Sequence, residues 1–208
     1  MNLRFWGVRG SVPWAIPLAI GHGCNTPCLE VRDEATGGTL VFDAGSGMVG
    51  LGERLEGPPR ELPIVLTHYH WDHIQGLPFL SQLYRPGWRP CIHAPVFEAR
   101  DTAWVETIFQ SPFFPVPYER LPNRPVVRLI EATTLRVGGF DLTCLPLNHP
   151  GGALAYRVKG TTGDLVYATD HEFGDPAYDE PLAEFARGAS AIIAAQSRPR
   201  WGSALAAR

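Results

Sequence analysis

Four side chains that can bind a metal ion follow directly after the apolar run 63–67. They are His68, His70, Asp72 and His73. Alternate side chains of an extended backbone share a face, so His68 and His70 project together, while the other two follow at a turn. Imidazole nitrogen suits Zn²⁺, Fe or Mn ions, and a carboxylate adds the negative charge that a second cation needs. The spacing predicts two neighbouring metal sites, because surface or helix-capping histidines seldom cluster this densely with an acid at a strand end.

Two later strand-like runs end on further candidate ligands. His149 follows the run 141–148 and precedes a Pro-Gly-Gly turn that exposes its side chain. Asp170 ends the apolar run 165–169. Ligands collect at strand ends in sheet enzymes. Each residue alone is a weak candidate, but the two support each other because both end a strand. Together they supply a third histidine for one metal and a carboxylate between the two metals.

Short runs with strand periodicity must position these residues, and each run is closed by Gly, Pro or Asp. The predicted strands are 3–8, 28–32, 39–43, 63–67, 89–94, 126–131, 134–137, 140–145, 153–158 and 165–168. The predicted helices are 46–55, with Ser46 as its N-cap, 72–83, 99–110 and 178–187, and the run 191–195 has the composition of a buried strand. The Pro-rich aromatic segment 111–122 continues neither a helix nor a central strand, so we expect an ordered loop laid over the body of the protein.

Length and composition indicate a single domain over residues 1–208. The chain has 208 residues with 45% hydrophobic content, enough for a sizeable core, and 22 Gly and 20 Pro, which disfavour an all-helical fold. A net charge of -3 provides no basic field, so we expect no general nucleic-acid binding. Without a signal-like N-terminus or a run of about 20 apolar residues, we expect no membrane association and a cytoplasmic location.

Weaker signals have ordinary structural interpretations. The four cysteines are expected to be free thiols, and an accessory zinc at Cys24 and Cys28 is less favoured because no further ligand lies near them in sequence. His22 and His93 have no partners at ligand spacing, so we expect structural or surface roles. An aromatic group in and before the Pro-rich segment could stack a nucleobase, although loop packing is the preferred interpretation. Its members are Phe109, Phe113, Phe114 and Tyr118.

Six motifs together resemble the metallo-β-lactamase fold hydrolases. They are FWGVRGSVP (5–13), GCNTPCLEV (23–31), LVFDAGSG (40–47), IVLTHYHWDHIQGLPF (64–79), LNHPGGALAYRV (147–158) and LVYATDHE (165–172). The resemblance is strongest to the phosphodiesterase-like branch that includes the phosphoribosyl cyclic phosphate phosphodiesterases. It implies a fold of the α+β class, a four-layer αββα sandwich.

The resemblance also implies a set of site residues. It places His68, His70 and His149 on a first metal, Asp72 and His73 on a second, Asp170 between them, Asp43 behind the site, and Asn25 and Thr26 in a turn near it. Two divalent ions are implied, with zinc preferred over Mn or Fe. They would lower the pKa of a bridging water and stabilise a phosphodiester transition state, with Asp72 and Asp170 as the catalytic carboxylates. The implied substrate is a small or cyclic nucleotide-like phosphodiester.

The chain departs from this family pattern near its end. The family supplies one more histidine to the second metal, and after Asp170 this chain has only His171, which should face the opposite side of the strand. Residues 194–196 read Ala-Ala-Gln where relatives carry Asp-Ala-Gln, and 201–203 read Trp-Gly-Ser where relatives have a Trp-Gly-His-Ser stretch. We therefore expect a weaker second metal site and a sandwich without its last C-terminal elements. An unpaired strand near 191–195 would then favour a homodimer.

Two alternative functions remain open from the sequence. The first is a catalytically impaired remnant that binds one metal or none. The second is a thioester or lactone hydrolase of the same fold. Metal stoichiometry separates the first from an active enzyme, and a parallel screen of esters separates the second.

Overall fold

Two β-sheets stacked face to face form the centre of the molecule. The computed structural model describes residues 1–15, 17–19, 21–55, 57–58, 60–97 and 101–195. The first sheet has six strands in the order β1 to β6, and the second has five in the order β11-β10-β9-β8-β7. Helices cover the outer face of each sheet. The predicted αββα sandwich is therefore confirmed.

The first sheet is antiparallel at one edge and parallel over the rest. Its strands are β1 (Asn2–Gly7), β2 (Cys28–Arg32), β3 (Thr39–Phe42), β4 (Glu61–Val65), β5 (Arg89–Pro95) and β6 (Val126–Ile130). The pairs β1–β2 and β2–β3 are antiparallel, and β3 to β6 run parallel. The carboxyl ends of β3 and β4 consequently meet at one edge of the sheet.

The second sheet is a meander with one parallel strand added at its edge. Its strands are β7 (Thr134–Val137), β8 (Phe140–Leu147), β9 (Ala153–Val158), β10 (Leu165–Ala168) and β11 (Ala191–Ala194). The pairs from β7 to β10 are antiparallel, whereas β11 runs parallel to β10. The helix α4 (Pro176–Ala186) makes the crossover between those two strands.

Alternation of side chains along the strands separates three apolar layers. In β2 and β3, Leu29, Leu40 and Phe42 face the second sheet. Their neighbours Cys28 and Val41 face α1 (Gly47–Arg54), α2 (Trp71–Ile74) and α3 (Trp104–Thr107) instead. The third layer packs Leu182 of α4 against the outer face of β8 to β10. Period-two burial on both faces is what a sheet covered on each side requires.

The predicted helices 72–83 and 99–110 are wrong in length. The first is α2 followed by two 3₁₀ turns, Leu77–Phe79 and Ser81–Leu83. Pro78 has no amide hydrogen to continue an α-helix, and Gly76 is pressed so closely against the backbone of Gly45 that an added Cβ would lie 2.0 Å from its oxygen. Of the second helix only the single turn of α3 forms, and residues 99 and 100 lie outside the described residues.

The expected N-cap of α1 is confirmed in position, although its side chain makes no capping hydrogen bond. Ser46 occupies that position without capping the helix. Its hydroxyl instead donates to Asn25 Oδ1 (3.2 Å) and accepts from the backbone N–H of Thr26 (2.9 Å). The start of α1 is therefore held by the 25–26 turn, in a reciprocal contact in which Thr26 Oγ1 accepts from the Ser46 N–H (2.7 Å).

The predicted buried run 191–195 is mostly exposed, and of its residues Ile193 alone is partly buried against the core between the sheets. Ile192 of β11 is 55% exposed, and Ala191, Ala194 and Ala195 are exposed as well. Apolar composition leads to burial only where other elements pack on the strand. Within the described residues, β11 is the edge strand of its sheet and pairs with β10 alone. Residues 196–208, which include the Gln of the Ala-Ala-Gln positions and the whole Trp-Gly-Ser stretch, lie outside the described part of the chain. Dimerisation through this strand stays a prediction.

None of the helices in the described residues is long and apolar enough to cross a bilayer.

Candidate metal centre

Four strand ends deliver the candidate ligands to one place. Asp43 follows β3, the segment 67–73 follows β4, His149 lies two residues after β8, and Asp170 lies two residues after β10. Two of these strands belong to each sheet, so the site forms at the rim where the sheets meet. Residues more than 100 positions apart in the chain are brought together in this way.

Three histidines form the first cluster. Nε2 of His68 lies 3.0 Å from Nδ1 of His70, and Nε2 of His149 lies 2.9 Å from the same atom. One imidazole nitrogen has a single in-plane lone pair or a single hydrogen, so these two contacts cannot both be good hydrogen bonds. Tetrahedral zinc, bound to imidazole at about 2.0–2.1 Å, separates its nitrogen ligands by about 3.3 Å. The three nitrogens therefore fit a shared cation better than they fit one another.

A second cluster shares His68 with the first. His68, His73 and Asp170 each offer a ligand atom within 4.8 Å of the others, and His73 Nε2 lies 3.0 Å from Asp170 Oδ2. Asp72 stands slightly farther away, with Oδ2 3.7 Å from His73 Nε2. The backbone N–H of Ser11 donates to that same oxygen at 2.7 Å and so orients the carboxylate.

Asp43 lies behind the second cluster and is fully buried. Its Oδ1 accepts hydrogen bonds from the backbone N–H and the hydroxyl of Thr67 at 2.8 and 2.9 Å. Its Oδ2 accepts from His73 Nδ1 and from the Tyr167 hydroxyl, both at 2.9 Å. These four donors occupy the carboxylate completely, so it supports the site and has no lone pair left for a metal.

The Thr67 hydroxyl fixes the tautomer of His68. Because this hydroxyl donates to Asp43, it can only accept at its second contact, His68 Nδ1, 3.0 Å away. His68 must therefore carry its hydrogen on Nδ1 and present the bare Nε2 to the cluster. The contact of Asp43 with His73 Nδ1 likewise leaves Nε2 of His73 facing the site. Such outer contacts are what orient metal-binding imidazoles.

The electrostatics of the second cluster call for a cation. Burial opposes a charged His73, but the carboxylates of Asp43 and Asp170 outweigh it and raise the pKa of His73 to about 10. In the first cluster, burial lowers the pKa values of His68 and His149, and neighbouring imidazoles add to the effect. A proton on His73 is thus what balances the acids when no metal is bound. Both donor sets therefore fit divalent ions, because the first cluster offers imidazole nitrogens and the second offers carboxylates in excess.

Backbone strain marks two of the acids. Asp43 and Asp170 have φ angles of 59° and 60°, in the left-handed region that residues other than glycine seldom adopt. Asp tolerates this region better than most residues, and such strain concentrates at functional sites. It turns both side chains out of the strand direction towards the clusters.

The turn at Asn25 and Thr26 touches no candidate ligand by side-chain hydrogen bonding among the described residues, so its role near the site stays a prediction. Thr26 Oγ1 accepts from Gln75 Nε2 at 3.0 Å, which ties the end of α2 to the start of α1. His171 is buried and pairs with Asp179 of α4 at 2.7 Å, so it faces away from the clusters. No further histidine joins the second cluster within the described residues.

Most of the weaker signals have structural explanations in the fold. Phe109 is fully buried in the layer beneath the helices, and Phe114 and Tyr118 pack against the same layer. Phe113 is 86% exposed and lies outside it. His93 is buried near Cys91, with Sγ and Nε2 3.6 Å apart. All four cysteines are free.

Three contributors to the site were missed in the sequence. Ser11 acts through its backbone N–H, Tyr167 through a hydroxyl on a strand that reads as purely apolar, and Thr67 through a hydroxyl inside the motif itself. Thr67 alone had a sequence signal, its place directly before His68. The contact of Tyr167 depends on how the two sheets stack, and that of Ser11 depends on how the loop after β1 folds over the segment after β4.

An apolar cleft of about 500 Å³ opens beside His68 and His70. Aromatic and aliphatic residues form most of its wall, together with the turn 150–152. The aromatic and aliphatic residues of the wall are Tyr69, Trp71, Ile74, Trp104 and Ile108. Its volume suits a small molecule.

This fold belongs to a known class. The beta-lactamase superfamily domain matches residues 39–204, and the chain belongs to that superfamily, whose fold is the metallo-β-lactamase fold. The chain is 29% identical over 167 residues to ribonuclease Z of Lactiplantibacillus plantarum, an alignment that covers 76% of this chain and 49% of the relative. The chain therefore spans about half the length of that curated relative.

Solved structures share the architecture at low sequence identity. A diphosphatase from the PhnP family superposes with a TM-score of 0.60 at 19% identity, covering 91% of this chain and 72% of the other. Zn²⁺-bound PqqB from Methylobacterium extorquens superposes with a TM-score of 0.61 at 17% identity, covering 94% and 70%. At such identities these likenesses establish the fold alone.

Proposed function

We propose that the chain is a metal-dependent hydrolase that cleaves a phosphodiester bond in a small or cyclic nucleotide-like substrate. The single observation that carries the proposal is the convergence of three imidazole nitrogens, those of His68 and His149 each within 3.0 Å of His70 Nδ1, next to a carboxylate-rich second cluster. Two of the similar proteins, a ribonuclease and a diphosphatase by name, act on phosphate esters or anhydrides. They support the phosphate class of substrate.

Two divalent ions are proposed, with zinc preferred. The first would be held by His68, His70 and His149, and the second by His73, Asp170 and Asp72. Three neutral imidazoles form a typical zinc set, whereas the second set has one imidazole of its own and two carboxylates. We expect the first ion to bind more tightly than the second.

Bound divalent ions supply Lewis-acid stabilisation of the phosphoryl oxygens and lower the pKa of water. The chain's own residues prepare the site for this chemistry. Thr67 keeps His68 in the tautomer that exposes Nε2, and Asp43 does the same for His73. Neither histidine has to reorient when substrate arrives, so the cost of organising the site is met in folding.

Asp72 and Asp170 are the proposed catalytic carboxylates. Their side chains are 14% and 16% exposed, whereas that of Asp43 is fully buried, so these two acids are the ones that solvent reaches. Ser11 holds Oδ2 of Asp72, which leaves Oδ1 to accept the proton of an attacking water. Asp170 has a depressed pKa, because hydrogen bonding to His73 outweighs the effect of burial, and so stays ionised near neutral pH.

Metal analysis combined with hydrolysis tests the proposal. We expect about two zinc ions per chain by inductively coupled plasma mass spectrometry, and turnover of bis(p-nitrophenyl) phosphate. His149→Ala should lose metal and turnover, while His22→Ala, an exposed histidine outside both clusters, should keep both.

Each other result identifies an alternative. One metal or none, with no turnover, would support the impaired remnant. Turnover of a lactone or thioester without hydrolysis of the phosphodiester would replace the substrate class. Equal metal content in the two histidine variants would refute the ligand assignment.

A further inference from the structure

The two loops that carry His149 and Asp170 are joined through Asn148. The backbone N–H of Glu172 donates to the carbonyl of Asn148 at 2.8 Å, and Nδ2 of Asn148 donates to the carbonyl of Glu172 at 2.8 Å. The backbone N–H of Asn148 also donates to Nδ1 of His171 at 3.3 Å. Three hydrogen bonds therefore connect the residue before His149 with the two residues after Asp170.

Both ring nitrogens of His171 have partners. Because Nδ1 accepts from Asn148, the ring must carry its hydrogen on Nε2, which donates to Oδ1 of Asp179 at 2.7 Å. Asp179 belongs to α4, and its Oδ2 accepts from the backbone N–H of Gly174 at 2.9 Å. The ring of His171 is fully buried, so solvent does not compete for either contact. His171 thus anchors the loop at Asn148 on α4.

His149 lacks the outer contact that two other candidate ligands have. Nδ1 of His68 is held by Thr67, and Nδ1 of His73 is held by Asp43. Nδ1 of His149, in contrast, is buried without a hydrogen-bond partner among the described residues. A metal-binding imidazole is normally oriented by an acceptor at its second nitrogen. The placement of His149 must therefore come from its backbone.

The backbone at both ligands needs an external support. Asp170 has a φ angle of 60°, and Gly151 and Gly152 in the turn after His149 have φ angles of 79° and 83°. A strained residue keeps its conformation only where its surroundings determine it, and glycines leave a turn more conformational freedom. The hydrogen bonds of Asn148 lie directly between the two loops and hold them in one arrangement.

We infer that His171 and Asn148 are positioning residues of the metal centre. His171, anchored on α4, holds the backbone at position 148 and thereby places His149 opposite Asp170. The inference rests on the proposed metal-dependent function and deepens it, because it assigns control of metal affinity to residues that are not ligands. The histidine next to Asp170 acquires a role in this way without joining either cluster.

Two amide substitutions at position 171 separate its two contacts. In His171→Asn, Oδ1 lies as many bonds from the backbone as Nδ1 of histidine, so it can accept from Asn148, but the side chain does not reach Asp179. In His171→Gln, the amide lies one bond farther out, so Nε2 can donate to Asp179 and nothing replaces Nδ1. By competition with a chromogenic chelator, we expect His171→Gln to bind the first zinc ion about tenfold more weakly than the wild type, and His171→Asn to stay within about threefold.

Asn148→Ala tests the same connection without changing the buried ring. It removes the hydrogen bond to Glu172 and keeps both backbone contacts, so zinc affinity should fall about three- to tenfold, the size of one neutral hydrogen bond. Asp175→Ala is the matched control on α4, because it removes the N-cap hydrogen bond that Asp175 accepts from the N–H of Ala177. It should lower stability in urea unfolding of the metal-free protein and leave zinc affinity unchanged.

The outcomes separate this inference from the proposed function. If the wild type binds zinc and hydrolyses bis(p-nitrophenyl) phosphate, but His171→Asn binds zinc no more tightly than His171→Gln, only the inference fails. The same holds if Asn148→Ala and Asp175→Ala bind zinc equally well, and this pair decides alone if the variants at position 171 do not fold. If the wild type binds no zinc, the proposed function fails together with the inference.

Discussion

Removing the Thr67 hydroxyl is expected to weaken metal binding without touching a ligand. Thr67→Val keeps the shape of the side chain but deletes the hydrogen bond to Asp43 and the acceptor for His68 Nδ1. The bond to a charged carboxylate stabilises by about 1.5–3 kcal/mol and the neutral one by about 0.5–1.5 kcal/mol, so we expect a loss of about 2–4 kcal/mol in unfolding free energy. Loss of such outer contacts lowers metal affinity about 10–100-fold.

Thr169→Val provides the matched control. Thr169 is also a buried threonine beside the site, but its hydroxyl has no hydrogen-bond partner among the described residues. The same substitution there should leave zinc affinity unchanged and stability equal or slightly higher, because it removes an unsatisfied buried polar group. Thr67→Ser, which keeps the hydroxyl, should restore most of the affinity.

Zinc affinity is measured by competition with a chromogenic chelator, and stability by urea unfolding of the metal-free protein. Separate measurements matter because a poorly folded variant would lose both properties together. If Thr67→Val and Thr169→Val bound zinc within twofold of each other, control of the His68 tautomer by Thr67 would be refuted. Failure of Thr67→Ser to recover affinity would refute it equally.

Three further predictions concern stability. Gly45→Ala should destabilise the protein by about 1–3 kcal/mol in urea unfolding, because an added Cβ would lie 2.4 Å from the carbonyl oxygen of Asp72. Gly10→Ala should be nearly neutral, because an added Cβ there meets nothing within 4 Å, and equal effects of the two substitutions would contradict the packing. The hydrogen bond from Arg157 lowers the pKa of Asp164 below its ordinary 3.8, so the pair stabilises the folded protein above pH 3.8 and this stabilisation is lost as the pH falls through the lowered pKa. Arg157→Gln should flatten this part of the curve of stability against pH, and an unchanged curve would count against the pair. Chelation of divalent ions should lower the thermal midpoint by about 5–10 °C relative to protein in zinc at a hundredfold excess over its Kd, since such binding contributes about 2.7 kcal/mol, and no shift would argue against a metal-loaded native state.

The sequence predicted the sheets well because their signal is local. Alternating burial and Gly, Pro or Asp punctuation located β2, β7 and β9 at their observed bounds. The helices were predicted less well. The 72–83 region has apolar spacing that suits a helix, but Pro78 and the close approach of Gly76 to Gly45 break it into short turns. That approach is a tertiary contact, which periodicity does not encode.

In the candidate site, too, the residues with a local sequence signal were predicted and those placed by tertiary contacts were not. The cluster at 68–73 is visible because its members are neighbours, strand ends indicated His149 and Asp170, and the family pattern supplied Asp43 and the assignment of each ligand. The contact of Tyr167 with Asp43 spans 124 positions and arises only when the two sheets stack. Burial of 191–195 failed for a related reason, since composition shows that a strand can be covered but not which elements pack on it, and β11 lies at the edge of its sheet within the described residues.

Anomalous diffraction at the zinc edge, from crystals grown with zinc, tests the central claim most directly. We predict a strong peak in contact with Nε2 of His68, Nδ1 of His70 and Nε2 of His149, and a weaker one beside His73 and Asp170. A protein that takes up zinc elsewhere, with no anomalous density among the three histidines, would contradict the metal centre and the hydrolase function built on it.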